Sequence, residues 1–131
     1  MRYFSFLFIT MTLVFSGCSK NEDIGTLTNV NSLEEFNNTL DSGVSLMFFH
    51  ASWCTLCQDQ RPAIEALVNR EDVKSAKIAQ VDYEVVKEVV NAYGITGFPT
   101  IVFYKDGIEK NRLNGKGHTE EELAAILKSL F

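Results

Sequence analysis

Two of the three cysteines in this 131-residue chain stand three positions apart, in the segment Trp53-Cys54-Thr55-Leu56-Cys57. The apolar run before this segment predicts a buried strand, and the residues after it predict a helix. Cysteines at this spacing are one helical turn apart, so their sulfur atoms can form a disulfide with little backbone movement. Cys54 would lie at the helix N-terminus, where the helix dipole and free amide groups stabilise a thiolate, while Cys57 lies one turn inside. A reactive thiol beside a resolving thiol is what thiol–disulfide exchange requires.

Two other interpretations of the cysteine pair are open at this point. A purely structural disulfide would close too short a loop to stabilise the fold by much. A metal site would need further ligands, and the two histidines of the chain, His50 and His118, are the candidates. Zinc sites usually take their ligands from two short pairs, and the sequence contains no second pair.

The composition indicates one globular domain. The chain is 46% apolar and 22% charged, with two prolines and eight glycines, which excludes a disordered or collagen-like protein. The formal net charge is −5; setting aside the first 17 residues, which carry only Arg2, leaves 11 basic and 17 acidic residues, or −6. A chain this acidic, without a basic cluster, is not expected to bind nucleic acid. We also expect a monomer.

The beginning of the chain has the pattern of an export signal. Residues 3–15 are uncharged and mainly apolar, and this run is shorter than the roughly 20 residues that a membrane helix needs. The sequence Phe-Ser-Gly ahead of Cys18 resembles a bacterial lipobox, in which the cysteine is lipidated and the preceding residues are removed. We therefore predict a lipoprotein signal peptide at 1–17, followed by the lipidated cysteine and a tether at 18–28. An ordinary signal peptide with an incidental cysteine is the alternative.

Residues 29–131 are predicted to form a single α/β domain. Helical and strand periodicities alternate along this region, and a hairpin signal at Asp106-Gly107 follows the third long strand. Strands that alternate with helices and end in a hairpin indicate a mixed central sheet of four or five strands with helices on both faces. The predicted strands are 44–50, 76–82, 100–105 and 108–113, with a short one at 26–30. The predicted helices are one capped by Ser32 and ending near Leu40, then 54–69, 85–93, and one capped by Thr119.

Several short motifs occur in order along this domain. They are W-C-x-x-C after a buried strand, Pro62 five residues beyond the second cysteine, Val81-Asp82, Tyr93-Gly94-Ile95, Gly97-Phe98-Pro99-Thr100, the Lys105-Asp106-Gly107 hairpin and Gly115. Together they resemble the thioredoxin family, over about residues 31–130. The resemblance implies a thioredoxin fold and a cis peptide bond before Pro99, facing the cysteines. It also implies substrate contacts at Trp53, Thr55, Leu56, Phe98 and Pro99, with the backbone of Phe98 pairing with an extended substrate.

The sequence departs from the family pattern close to the cysteines. Thr55-Leu56 stands where thioredoxin has Gly-Pro, and because this dipeptide tunes the stability of the thiolate, the redox potential is not carried over. The buried acid of thioredoxin aligns with Phe48, which cannot accept a proton. The usual proton acceptor for Cys57 is therefore missing.

Three polar residues near the cysteines carry separate expectations. His50 is predicted to be a surface or rim histidine at the end of the strand, and the alternative is a titrating group that assists the cysteines. Gln60 is predicted to belong to an exposed turn, 58–61, of the helix that bears the cysteines. Glu65 is one candidate for the missing proton acceptor, besides water or a substrate group.

These observations predict a lipid-anchored thiol–disulfide oxidoreductase that faces the outside of the cytoplasm in a bacterial cell envelope. Cys54 attacks a disulfide of a protein substrate and Cys57 resolves the mixed disulfide, with electrons from a donor in the membrane or outside the cytoplasm. No cofactor and no metal are expected. Reduction is favoured because the family's strongest oxidants carry Pro-His between the cysteines and an inserted helical domain. The alternatives are a copper-handling chaperone that uses the cysteines and a histidine, a disulfide oxidase or isomerase, or a redox-inert binding module.

Overall fold

The computed structural model describes residues 27–131, so the predicted signal peptide and the predicted lipidation site, Cys18, lie outside the described residues. No helix within the described region is long and apolar enough to cross a membrane. The elements are, in order, β1 (Thr28–Val30), α1 (Leu33–Leu40), β2 (Val44–His50), α2 (Thr55–Val68), a short 3₁₀ turn (Glu71–Val73), β3 (Lys77–Asp82), α3 (Lys87–Ala92), β4 (Thr100–Lys105), β5 (Ile108–Asn114) and α4 (Glu120–Lys128).

The strands form one five-stranded mixed sheet, which confirms the predicted fold class. The strand order is β1-β3-β2-β4-β5. β3 pairs in parallel with β1 and β2, whereas β4 pairs antiparallel with β2 and β5. β2 therefore lies at the centre, and all seven of its residues are buried, as the continuous apolar run predicts.

The ends of the helices and the hairpin follow local signals in the sequence. The Ser32 hydroxyl accepts a hydrogen bond from the Glu35 N–H at 3.1 Å, and the Thr119 hydroxyl accepts one from the Glu122 N–H at 3.2 Å. These bonds satisfy amide groups that a helix leaves without partners in its first turn. The predicted β4–β5 turn is present, with positive φ angles at Asp106 (49°) and Gly107 (78°).

The predicted start of α3 was wrong by two residues. The helix begins at Lys87 rather than at Val85, and Val85 is 60% exposed. The Asp82 carbonyl accepts hydrogen bonds from the N–H groups of both Val85 and Val86, so the chain makes a turn after β3 before the helix can begin. The valine spacing alone does not reveal this turn.

Two hydrophobic cores lie on opposite faces of the sheet, because successive side chains of a strand point to opposite sides. The disulfide-side core lies beneath α2 and α4, and its buried residues include Leu46, Phe48, Cys54, Cys57, Ile64, Leu67, Ile101, Phe103, Leu123 and Leu127. The aromatic-side core lies beneath α1 and α3, and its buried residues include Phe36, Leu40, Met47, Phe49, Val81, Val89, Val90, Val102 and Tyr104. The central strand contributes to both cores.

Candidate active site

Cys54 and Cys57 form a disulfide at the N-terminus of α2, with their Cα atoms 5.2 Å apart. Cys54 is the N-cap residue of the helix, in an extended backbone conformation. Its sulfur accepts a hydrogen bond from the N–H of Cys57 at 3.1 Å. The sulfur of Cys54 therefore lies at the positive end of the helix dipole, against an amide of the first turn, where a thiolate would be stabilised.

The two sulfur-bearing residues differ in their access to solvent. Cys54 is 6% exposed and Cys57 only 2%, and both belong to the disulfide-side core. Thr55 and Leu56 between them are exposed, as is the preceding Trp53 at 64%. Trp53 and Leu56 therefore form an exposed apolar rim on either side of Cys54.

The loop before β4 supplies the other side of this rim. The Phe98–Pro99 peptide bond is cis, as the family resemblance implied. Pro99 is buried, and the half-buried Phe98 ring lies 6.0 Å from the Trp53 ring, edge to face, and 5.5 Å from the Tyr83 ring. The structure therefore brings Trp53 and Phe98 together, while the part that each plays in substrate binding stays a prediction.

A phenylalanine and an arginine occupy the region where thioredoxin has its buried acid. Phe48 is fully buried in the same core as the cysteines, and the guanidinium of Arg61 lies 5.4 Å from the centre of its ring. Arg61 also donates a hydrogen bond to the Gln80 side-chain oxygen at 2.7 Å. Glu65 lies 3.6 Å from Arg61 and is half exposed. Because Glu65 is two helical turns beyond Cys57, about 12 Å along the axis, it is badly placed to take a proton from that thiol.

His50 is buried, so its prediction as a rim residue was wrong. It is 8% exposed, its ring stacks on Phe48 at 5.4 Å between centres, and its Nε2 has no hydrogen-bond partner among residues 27–131. Burial, together with the nearby charge of Arg61, lowers the pKa of His50 below its ordinary value. The imidazole is therefore neutral at pH 7. His50 continues the alternation of β2 on the face of Phe48, which is the signal that could have placed it inside.

The histidines do not assemble a metal site with the cysteines. Within residues 27–131, no three His, Cys, Asp or Glu side chains lie close enough together to hold a metal ion. His118, the second candidate ligand, instead lies 3.3 Å from the Glu122 carboxylate, across one helical turn.

Two polar residues that the sequence analysis did not assign to the site hold its loops in place. The Glu84 carboxylate accepts a hydrogen bond from the Ser52 N–H at 3.1 Å, next to Trp53, and bonding to Ser52 lowers the pKa of Glu84. Gln60, predicted to be exposed, is 2% exposed and bonds to the loop before α4. No local pattern marks either residue, because their partners are 32 and 57–58 positions away in the chain.

Comparisons with known proteins agree with this geometry. The Thioredoxin family model matches residues 27–129. A thioredoxin from Chlamydia caviae is 33% identical over 89 residues, which are 68% of this chain and 85% of that protein. A probable protein disulfide-isomerase A6 from Medicago sativa is 34% identical over 110 residues, which are 82% of this chain but only 29% of that protein. Among solved structures, a mutant thioredoxin from Halobacterium salinarum aligns with a TM-score of 0.71 and 29% identity, covering 82% of this chain and 92% of that one.

The family model spans most of the chain, and the sheet order, the cis bond before Pro99 and the disulfide at the start of α2 are all consistent with it. Both members of the cysteine pair are present and close enough to bond, which exchange chemistry requires. The chain therefore belongs to the thioredoxin family and is a thiol–disulfide oxidoreductase whose redox pair is Cys54 and Cys57.

Proposed function

We propose that this protein is a lipid-anchored reductase of protein disulfides that works outside the cytoplasm. Cys54 is the nucleophile, Cys57 is the resolving thiol, and a dithiol protein in the membrane or outside the cytoplasm returns the pair to its reduced form. The proposal for the two cysteines is carried by one observation: the Cys54 sulfur caps α2 and accepts an amide hydrogen bond, while Cys57 lies deeper.

The reaction proceeds by two displacements at sulfur. The Cys54 thiolate attacks one sulfur of a substrate disulfide, forming a mixed disulfide and releasing the first substrate thiolate, which takes up a proton from solvent. Cys57 then loses its proton and attacks the Cys54 sulfur, which forms the Cys54–Cys57 disulfide and releases the second substrate thiolate. Two electrons pass from the cysteine pair to the substrate, and the donor dithiol restores them by the same exchange in reverse.

The local stabilisation of its thiolate supports Cys54 as the attacking residue. A net charge spread over the surface is screened beyond about 8 Å at physiological salt, whereas the helix amide is in direct contact with the sulfur. Alkylation of the reduced protein at slightly acidic pH is therefore expected to modify Cys54 first. Preferential modification of Cys57 would contradict the assignment.

The direction of exchange is tested by the equilibrium potential of the cysteine pair. Thr55-Leu56 differs from the Pro-His of the family's strongest oxidants, and the four helices within residues 27–131 leave no inserted helical domain in this part of the chain. A potential measured against glutathione near about −270 mV supports a reductase, and one near about −120 mV means that the protein is an oxidase. An intermediate value near about −180 mV favours isomerisation, an activity suggested by the name of the Medicago sativa relative.

The anchor is tested separately, at Cys18. A diacylated cysteine with an added amide-linked chain carries more than the two apolar chains that stable attachment needs, so Cys18→Ser is expected to release the protein from membranes or leave it unprocessed. Fractionation of cells into soluble and membrane proteins measures this. A Cys18→Ser protein that is processed and stays in the membrane fraction would contradict the anchor without affecting the exchange chemistry.

A further inference from the structure

Gln60 is a buried polar residue on the helix that carries the cysteines, one turn beyond Cys57, and is only 2% exposed. Its side-chain nitrogen donates a hydrogen bond to the His118 carbonyl at 2.8 Å. Its side-chain oxygen accepts hydrogen bonds from the N–H groups of Gly117 at 2.9 Å and His118 at 3.0 Å. One amide side chain thereby satisfies three backbone groups of the loop between β5 and α4.

That loop is bonded in turn to the segment containing the cis proline. The Gly115 N–H donates a hydrogen bond to the Pro99 carbonyl at 2.9 Å. The Thr100 hydroxyl lies 3.1 Å from the Asn114 side-chain oxygen and donates to the Gly97 carbonyl at 2.8 Å. Residues 97–100 and 114–118 are therefore linked to each other, and Gln60 links the second of these segments to α2.

We infer that Gln60 is a positioning residue for exchange with protein disulfides. It holds the loop 114–118, and through that loop the Phe98–Pro99 segment, in a fixed place relative to the cysteines on its own helix. The inference rests on the proposed function, because it assumes that an extended substrate lies along Phe98. A small disulfide with no peptide backbone has no use for that alignment.

The buried amide is suited to this task because an apolar side chain would leave the three backbone groups unpaired. The three hydrogen bonds are part-buried, and backbone groups shielded from solvent by the helix are costly to leave without partners, so the loop would move until solvent or other groups satisfied them. The only other side-chain link between α2 and this loop among residues 27–131 is the ion pair between Lys116 and Asp59, which is half exposed. A half-exposed ion pair contributes little and cannot hold the loop alone.

The test measures the reduced protein in single-turnover reactions, with fluorescence of the single tryptophan, Trp53, as the signal. One substrate is insulin, a protein disulfide, and the other is bis(2-hydroxyethyl) disulfide. Gln60→Met keeps the length of the side chain but forms none of the three hydrogen bonds. We expect its rate constant with insulin to fall about tenfold, since small misplacements of binding groups have effects of this order or larger. The rate constant with the small disulfide, and the potential of the cysteine pair, are expected to stay unchanged.

Two further variants separate positioning from general stability. Ile64→Val removes a buried methylene group one turn further along α2 and should leave the ratio of the two rate constants unchanged. Gln60→Glu can still accept hydrogen bonds from Gly117 and His118 but loses the donor to the His118 carbonyl, so its ratio should lie between those of Gln60→Met and the unmodified protein. If Gln60→Met does not fold, this partial loss, confined to insulin, is the result that supports the inference, and an unchanged ratio overturns it. Equal losses with both substrates, or no loss with insulin, would overturn the inference. Failure of the unmodified protein to reduce insulin would instead count against the proposed function.

Discussion

The two faces of the sheet are built from different side chains, although the same central strand supplies both. Phe48 and Phe49 are neighbours in β2 and both are fully buried, yet Phe48 lies in the core with the cysteines and Phe49 in the core beneath α1 and α3. The disulfide-side core is mainly aliphatic apart from Phe48, Phe103 and the cysteines. Its margin contains the polar contacts of Arg61, His50 and Gln60.

The aromatic-side core is organised around one ring. Phe36 lies 4.5 Å from the Tyr93 ring, 5.9 Å from Phe49 and 6.2 Å from Tyr104, measured between ring centres. Aromatic pairs at these distances add stability beyond the area that they bury. No cysteine or histidine among the described residues belongs to this core. The fold therefore places the reactive cysteines on one face of the sheet and much of the aromatic packing on the other, so substitutions on the two faces should have different consequences.

Cysteine substitutions on the disulfide side should have the largest effects on exchange. Cys54→Ser removes the nucleophile and is expected to abolish reduction of insulin, leaving less than about one thousandth of the rate, because no other thiol occupies the helix N-terminus. Cys57→Ser keeps the nucleophile but cannot resolve the mixed disulfide. It should therefore accumulate covalent complexes with substrates, which non-reducing electrophoresis detects.

Cys54→Ser and Cys57→Ser serve as controls for each other. Both substitutions remove the same disulfide and change one sulfur to oxygen, so their effects on stability should be similar. Only the Cys57→Ser protein should form the covalent complexes. Complexes formed by Cys54→Ser, and not by Cys57→Ser, would reverse the roles of the two residues.

Phe36→Ala, on the aromatic side, should lower the stability of the protein without changing its rate of exchange. Truncation of this fully buried ring is expected to lower the free energy of unfolding by about 3–5 kcal/mol, measured by denaturant titration of the oxidised protein. The rate of exchange per folded molecule should stay the same, because the ring lies across the sheet from the cysteines. Leu33→Ala, at a partly exposed position on the same helix, serves as the control and should cost less than about 1 kcal/mol.

A loss of exchange rate in folded Phe36→Ala, beyond what the control shows, would contradict the separation of the two faces. It would mean that packing on the aromatic side is transmitted through β2 to the loop that carries the cysteines. The central strand is the connection to examine in that case, since Phe49 contacts Phe36 and is followed directly by His50.

The sequence predicts the fold and the cysteine pair better than it predicts the polar residues that surround the site. The fold, the central strand and the cysteine pair depend on local patterns: a continuous apolar run, a two-cysteine spacing and side-chain caps within three residues. The burial of Gln60 could not be predicted in the same way. Gln60 is inside because the loop at 117–118, which is 57–58 positions away, folds over it and offers three backbone groups. Polar residues are assigned to the surface by default, and only the tertiary arrangement shows which ones have buried partners.

Tyr104→Phe should stabilise the aromatic-side core. The Tyr104 hydroxyl is buried and has no hydrogen-bond partner within residues 27–131, and burial raises the pKa of this phenol. Removing an unpaired buried hydroxyl is expected to raise the free energy of unfolding by about 1 kcal/mol. Tyr93→Phe is the matched control, because the Tyr93 hydroxyl donates to the Asn37 side-chain oxygen at 2.9 Å and its loss should cost about 0.5–1.5 kcal/mol. Equal destabilisation by both changes would mean that Tyr104 has a partner after all.

The smallest expected effect is a pH-dependent loss of stability on substitution of Asp72, which lies on the surface of the disulfide side. The Asp72 carboxylate, in the 3₁₀ turn, bonds to Arg70 at 2.7 Å and to Lys128 of α4 at 3.0 Å, and these two cations lower the pKa of Asp72 to about 2. Since the ordinary aspartate pKa is about 3.9, the stabilisation is fully present above that pH and is lost as the pH falls towards 2. Thermal unfolding of the oxidised protein should therefore show Asp72→Asn to be less stable than the unmodified protein at pH 6, with the difference shrinking below pH 4 and vanishing below about pH 2. Because the group is exposed, added salt should shrink the difference at pH 6, and a difference that persists at low pH or in high salt would mean that Asp72 acts through packing rather than charge.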